Sequence, residues 1–147
     1  MKIATNGIQF NLVNLTAVAR EFGLKFIILH GSRVTGKYRA DSDFDIAVVS
    51  KNSLPTESKL NLYSKLRNIF NSEEIELDLD IKMLDRADPL FRYQVVRDGK
   101  LLYGNLTDYN EYKSVTYRMY DDAKPLFELE NILIKKYQKH LEETYVR

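Results

Sequence analysis

Residues Gly31 to Asp45 read GSRVTGKYRADSDFD, directly after the apolar run Phe26 to Leu29 and directly before a second one, Ile46 to Val49. Apolar runs bracketing a Gly-Ser turn predict two strands of one sheet joined by a polar connection. Ten residues separate Ser32 from Asp43, enough for a short helix or loop that returns the chain beside the strand it left. A glycine lets the backbone approach an anion closely, and the serine adds a hydroxyl and its own N–H. A following helical turn aims further donors at the same point. Residues two apart on a strand share a face, so Asp43 and Asp45 project together, roughly 6 to 7 Å apart along the chain, while Phe44, Ile46 and Val48 face the core. An isolated Asp-x-Asp is most often an acidic entry to a strand. Set after a Gly-Ser turn between two strands, it reads as a phosphate cradle feeding a cation clamp.

The rest of the chain bounds what such a site serves. Its 147 residues suit one well-buried domain. The 22 basic and 21 acidic residues nearly cancel, so no global field recruits nucleic acid or an anionic membrane. The N-terminus lacks the pattern of a signal peptide, and no run approaches the ~20 apolar residues a bilayer demands, so a cytoplasmic protein is expected. Zero cysteines exclude thiolate metal sites, and with only His30 and His140 an imidazole-rich zinc site is not expected. Oxygen ligands and hard cations remain.

Periodicity supplies the surrounding elements. Leu12, Leu15, Val18, Ala19 and Phe22 follow helical spacing, giving a helix from about Asn11 to Phe22, with Gly23 as its stop. Lys25 to His30 and Asp43 to Ser50 are the first and second strands. Thr56 caps a helix carrying Leu60, Leu62, Leu66, Ile69 and Phe70. Glu74 to Leu84 alternates strictly, with Glu76, Asp78, Asp80 and Lys82 on one face and Leu77, Leu79, Ile81 and Met83 on the other, so it is the third strand. Asp88 and Pro89 start a helix to about Val96, and a turn at Asp98-Gly99 leads to a short strand, Lys100 to Tyr103. From Asp108 onward the composition is helical. A single rod there would reach about 60 Å, against ~40 Å for a domain of this size, so the rod breaks or projects. Pro125 is the expected breaker. The stripe of Val115, Met119, Leu126, Leu129, Ile132 and Leu133 is expected to cover the sheet.

Carboxylates from Asp43 and Asp45, joined by Asp78 or Asp80 from the third strand, repel one another unless cations fill the site. Carboxylate and phosphate oxygens are the ligand set of Mg2+. Two such ions would serve an in-line displacement at phosphorus, and the third carboxylate would take the nucleophile's proton.

The sequence resembles the DNA polymerase beta-like nucleotidyltransferase superfamily, and within it the minimal nucleotidyltransferases. Their nucleotide loop reads GSRARG followed by SDxDL, matched here by GSRVTG at Gly31 to Gly36 and SDFDI at Ser42 to Ile46. Downstream, LDIKMLDRADPLFRYQVVRDGKLLYG (Leu79 to Gly104) is similar to the family's acidic strand, R-A-x-P-L helix and G-x-L-L-Y strand. Thr35 stands where a basic residue is frequent, and His30 where an aromatic is common. The resemblance covers most of residues 26 to 104, the catalytic core of a single 1–147 domain, with 108–147 as a C-terminal helical tail. It implies an α+β nucleotidyltransferase fold, a mixed β-sheet flanked by helices. It places the third acid at Asp80, with Asp78 as runner-up, and makes Asp43, Asp45 and Asp80 the metal ligands and catalytic acids, with Gly31, Ser32 and Arg33 binding the nucleotide. It further implies Mg2+ (two ions), ATP as AMP donor, and a HEPN-domain toxin encoded nearby as partner. The AMP would go to a tyrosine hydroxyl of that toxin, which the protein thereby silences as an antitoxin. The alternatives are a small-molecule nucleotidyltransferase, for instance on an aminoglycoside, and an antitoxin that acts by contact alone.

Other polar residues carry plainer expectations. Arg39 is a weaker phosphate contact than Arg33, and Lys37 and Tyr38 are loop surface. His30 packs beside the site and His140 faces solvent. Tyr109, Tyr112, Tyr117 and Tyr120, at helical spacing without a local basic excess, suit packing or a partner interface better than base stacking. Glu73, Glu74 and Glu76 are a solvated acidic approach to the third strand.

Overall fold

The apolar runs flanking the Gly-Ser turn form adjacent strands. The computed structural model describes residues 2–5, 7–37, 43–70 and 78–145. Its elements are β1 (Lys2–Thr5), β2 (Ile8–Asn11), α1 (Leu12–Glu21), β3 (Leu24–His30), α2 (Ser32–Thr35), β4 (Phe44–Ser50), α3 (Thr56–Phe70), β5 (Leu79–Met83), α4 (Pro89–Asp98), β6 (Lys100–Tyr103) and α5 (Leu106–Tyr145). A four-stranded sheet has the order β5-β4-β3-β6. The short connection through α2 returns the chain antiparallel, so β3 pairs β4 from Leu24↔Ser50 to His30↔Asp45. The longer crossover through α3 instead sets β5 parallel to β4, as a connection of that length permits. With β6 antiparallel to β3, the sheet is mixed, as expected.

Strand alternation divides the core between two faces. Ile27 and Leu29 of β3 and Phe44, Ile46 and Val48 of β4 are buried with Leu15 and Ala19 of α1 and Leu62, Leu66 and Phe70 of α3. Phe26, Ile28, Ala47 and Val49 point the other way, against Val95 and Val96 of α4 and Tyr109 of α5. Helix starts follow their caps. Asn11 Oδ1 accepts the N–H groups of Val13 and Asn14 at 2.9 and 3.3 Å, and Asp88 Oδ1 accepts from Leu90 N–H at 2.7 Å, with Pro89 in the first turn.

The structure adds to these expectations at the N-terminus and corrects them in the tail. The hairpin β1–β2 was not anticipated, although its Asn6-Gly7 pair is a hairpin signal, and Gly7 has φ of 80°. The third strand is described only as Leu79–Met83. Its expected start at residues 74–77 lies outside the described residues, as do Tyr38, Arg39, Ser42 and Glu73. Finally, Pro125 does not break the tail, because α5 is one helix of 40 residues with Pro125 inside it. At 1.5 Å per residue it is about 60 Å long, more than the sheet needs for cover. Only Tyr109 and Thr116 of α5 are buried. Leu126, Leu129, Ile132 and Leu133 are each more than half exposed, so the distal stripe does not cover the sheet. No helix among the described residues is long and apolar enough to cross a membrane.

Candidate active site

At the C-terminal end of β3 the register lines up three polar residues across three strands. His30 lies opposite Asp45, and Asp45 lies opposite Asp80. Directly paired strand residues share a face, so this row sits on the α4 side of the sheet. Phe44 N–H donates to Asp78 C=O at 2.9 Å, pinning the entry of β4 beside that of β5. Asp43 precedes β4 and is exposed, whereas Asp45 is half-buried. Asp78 is exposed too, just ahead of β5.

The turn after His30 is shaped around Asp45. Gly31 has φ of 78° and ψ of −155°, a region essentially reserved for glycine. A Cβ there would lie 2.1 Å from Asp45 Oδ2. Gly31 C=O accepts the N–H groups of Val34 and Thr35 at 3.1 and 3.2 Å, which winds Ser32–Thr35 into the single turn of α2. Gly36, left-handed at φ of 80°, ends it. Arg33 is buried rather than solvated, and its guanidinium lies over the Phe44 ring, 4.1 Å from Cζ to the centroid. Lys37 is exposed, as expected.

Burial pushes the Asp45 carboxyl above its ordinary pKa, and the negative charges of Asp80 and Asp43 push it further, against the opposing effect of Lys82. Lys82 Nζ sits 3.4 Å from Asp80 Oδ2 and over the Phe91 ring. His30 meets the same ring edge-on at 5.8 Å. Burial, reinforced by Lys82, pulls the His30 pKa down to about 4, so its ring is neutral near pH 7. Its Nε2 has no hydrogen-bond partner among the described residues. Packing beside the site, the expected place of His30, is where the structure puts it.

Among the described residues no three His, Asp or Glu side chains close into a metal cage. The donor set instead fits Mg2+, which takes one or two carboxylates and completes its shell with water and substrate phosphate. Because Gly31 has no side chain, the Asp45 carboxylate packs directly against its backbone, in the place a Cβ would take. Two clefts, of about 390 and 510 Å3, lie around Tyr103, Gly104 and Asn105, the larger reaching Leu24 and Ser50. They are at the opposite ends of β3 and β4 and hold none of these groups.

Tyr109, Tyr112, Tyr117 and Tyr120 are packing residues at the proximal end of α5. Tyr109 and Tyr112 both contact Phe26, at 5.3 and 5.4 Å between centroids. Tyr120 stacks on Tyr93 at 4.0 Å, with Tyr117 edge-on to the same ring. His140 is exposed.

Comparison with known proteins adds to this geometry. The Polymerase beta, Nucleotidyltransferase family matches residues 14–108, which include Gly31, Ser32, Asp43, Asp45 and Asp80. The chain is similar to protein adenylyltransferase MntA of Aphanizomenon flos-aquae (strain 2012/KM1/D3), 39% identical across 54% of this chain and 57% of that protein. The match thus spans little more than half the relative's length. Among solved structures, a chain of the crystal structure of a toxin-antitoxin with AMP-PNP superposes with a TM-score of 0.65 and 27% identity, covering 84% of this chain and 98% of that one. A chain of the tri-AMPylated Shewanella oneidensis HEPN toxin in complex with MNT antitoxin gives a TM-score of 0.60 and 25% identity, covering 83% and 95%.

Proposed function

This chain belongs to the polymerase beta nucleotidyltransferase family, and from that premise we propose that it is a Mg2+-dependent protein adenylyltransferase. It moves AMP from ATP to a tyrosine hydroxyl of a HEPN-type toxin, and so acts as the cytoplasmic antitoxin of a toxin–antitoxin pair. The observation that carries this reading is the register of Asp45 with Asp80, with the Asp45 carboxylate held against the backbone of Gly31, where any side chain would collide with it. The adenylyltransferase relative, the neighbour with an ATP analogue and the neighbour with an AMPylated toxin support the donor and the partner.

The residues divide the work. Gly31 and Ser32 receive the triphosphate, and Arg33 adds its positive charge to the same turn from its place over Phe44. Asp43, Asp45 and Asp80 would hold Mg2+, with two ions expected when the nucleotide is bound. Mg2+ there would supply Lewis-acid polarisation of the phosphate. The acceptor oxygen bonds to the α-phosphorus as the bond from that phosphorus to the bridging oxygen breaks. Diphosphate leaves, and the hydroxyl proton passes to Asp80. Asp80 suits that role because it is half-exposed and so open to an incoming side chain, whereas Asp45 lies deeper in the sheet.

The test uses the protein, ATP, Mg2+ and the product of the adjacent gene. Discrete AMP mass steps on a tyrosine of that partner are expected by intact-protein mass spectrometry. The double variant Asp43→Asn/Asp45→Asn is expected to fold and to lose those steps. If it protects cells from the toxin as well as the parent does, contact alone is the mechanism and the transferase reading fails.

A further inference from the structure

The distal half of α5 presents an apolar seam that the fold does not use. Leu126, Leu129, Leu133 and Tyr137 recur at spacings of three, four and four along it, and Val115 and Met119 lie upstream, Met119 seven residues before Leu126. All six are substantially exposed, from 43% at Met119 to 64% at Tyr137. Intervals of three and four are those of a helix that packs along a second helix. An isolated helix carrying so much exposed apolar surface is marginal in water.

The charges on the same segment point to what covers the seam. Residues 121–131 carry Asp121, Asp122, Glu128 and Glu130 against Lys124 alone, whereas residues 132–140 carry Lys135, Lys136 and Lys139 and no carboxylate. All eight are exposed. An acidic block followed by a basic block matches its own reverse. Two copies running antiparallel set each acidic block beside the other's basic block, while two parallel copies set like against like. Seam spacing and charge agree on one alignment, with Leu129 of each helix opposite Leu133 of the other. Lys136 then flanks Glu128 of the second copy, and Lys139 flanks its Asp122. The overlap runs from about residue 117 to 145, roughly 40 Å.

We propose that this protein forms a homodimer through an antiparallel pair of α5 helices centred between Glu130 and Ile132. The surface lies outside the nucleotidyltransferase site and stands independently of that reading.

Sedimentation velocity on the full chain, from about 1 to 100 µM, tests it. The expected result is a species of twice 17.2 kDa that Leu129→Glu/Leu133→Glu converts to monomer. Because unpaired distal turns of that variant are free to fray, charge exchange supplies a second readout. Lys136→Glu/Lys139→Glu and Asp122→Lys/Glu128→Lys are each expected to weaken self-association at least tenfold, and a one-to-one mixture to restore it as a heterodimer. A parent chain that stays monomeric throughout overturns the proposal. So does a dimer indifferent to both sets of changes, which would place the interface elsewhere. If the parent is monomeric and Leu129→Glu/Leu133→Glu removes binding to the toxin instead, the seam belongs to that partner.

Discussion

Gly31 and Asp45 are fitted so closely that a methyl group on the first would lie 2.1 Å from a carboxylate oxygen of the second. Two costs follow for Gly31→Ala. The backbone at φ of 78° and ψ of −155° is strained by about 1–3 kcal/mol for any residue with a Cβ. The Asp45 carboxylate, the flexible member of the contact, must also rotate away from the space where phosphate is proposed to bind. Thermal melts should show a fold that survives with a lower midpoint and gains little from Mg-ATP. Isothermal titration should show ATP affinity reduced at least ~10-fold, the equivalent of about 1.4 kcal/mol. Unchanged affinity would remove Gly31 from the nucleotide site.

His30 and Asp45, paired across two strands, respond to pH with opposite signs. The His30 pKa is about 4 in the folded chain against 6.5 when free, so between those values the unfolded chain takes up a proton that the folded chain refuses. This contribution is complete above pH 6.5 and is lost as pH falls toward 4. It amounts to on the order of 3 kcal/mol. Asp45 has a raised pKa, so its folded form holds a proton longer than the unfolded form and its contribution declines as pH rises through the carboxylate range. His30→Phe keeps a ring against Phe91 and deletes only the first effect. Urea unfolding across pH 4 to 7 should then show a shallower acid-side loss for the variant. Parallel curves would mean that His30 is not buried in neutral form.

Much of this site is legible in the sequence because its chemistry is local. Gly31, Ser32, Asp43 and Asp45 fall within one connection, and apolar alternation alone places Asp80 on the face opposite Leu79 and Ile81. The pairing of Asp45 with Asp80 rather than Asp78 is a matter of strand register, which depends on tertiary packing and has no signature in either strand. Arg33 shows a different limit. Its place in the loop does not say which ring its guanidinium meets, and only the folded turn brings it over Phe44. In α5 the composition announces a helix but not its course. A proline inside a helix removes one hydrogen bond and adds one clash, and whether a long helix absorbs that depends on its neighbours. The apolar stripe is equally visible whether it covers a sheet or stands free.

The register gives Asp78 and Asp80 different weights. Asp80 faces Asp45, whereas Asp78 lies ahead of β5 and joins it to β4 through its backbone carbonyl, which accepts from Phe44 N–H. A side-chain change at Asp78 leaves that bond intact. Asp80→Asn should lower the rate of AMP transfer at least ~10^3-fold, the scale associated with removing a group that acts in the transition state. Asp78→Asn should cost no more than about tenfold. In metal-free buffer Asp80→Asn should also melt slightly higher, because it removes a charge that disfavours ionised Asp45. Single-turnover assays with the proposed toxin partner and melts in chelator measure the two effects. Equal losses for both variants would put the proton acceptor elsewhere.

Pro125 offers a change confined to the distal helix. It has no N–H to donate to the carbonyl of Asp121, so α5 lacks one hydrogen bond in its middle, at an exposed position where alanine meets no packing constraint. Pro125→Ala restores that bond and removes the ring's clash with the preceding turn, which favours the helix by up to ~3 kcal/mol locally. The gain is local because the turns beyond Tyr120 open without disturbing the sheet. Amide hydrogen exchange should therefore slow across roughly residues 122–130, while the melting of the core and the affinity for Mg-ATP stay as in the parent. Unchanged exchange in that segment would show that neighbouring turns already compensate for the proline. A shift in ATP affinity would show that the distal helix is coupled to the row of His30, Asp45 and Asp80, which the packing described for α5 does not provide.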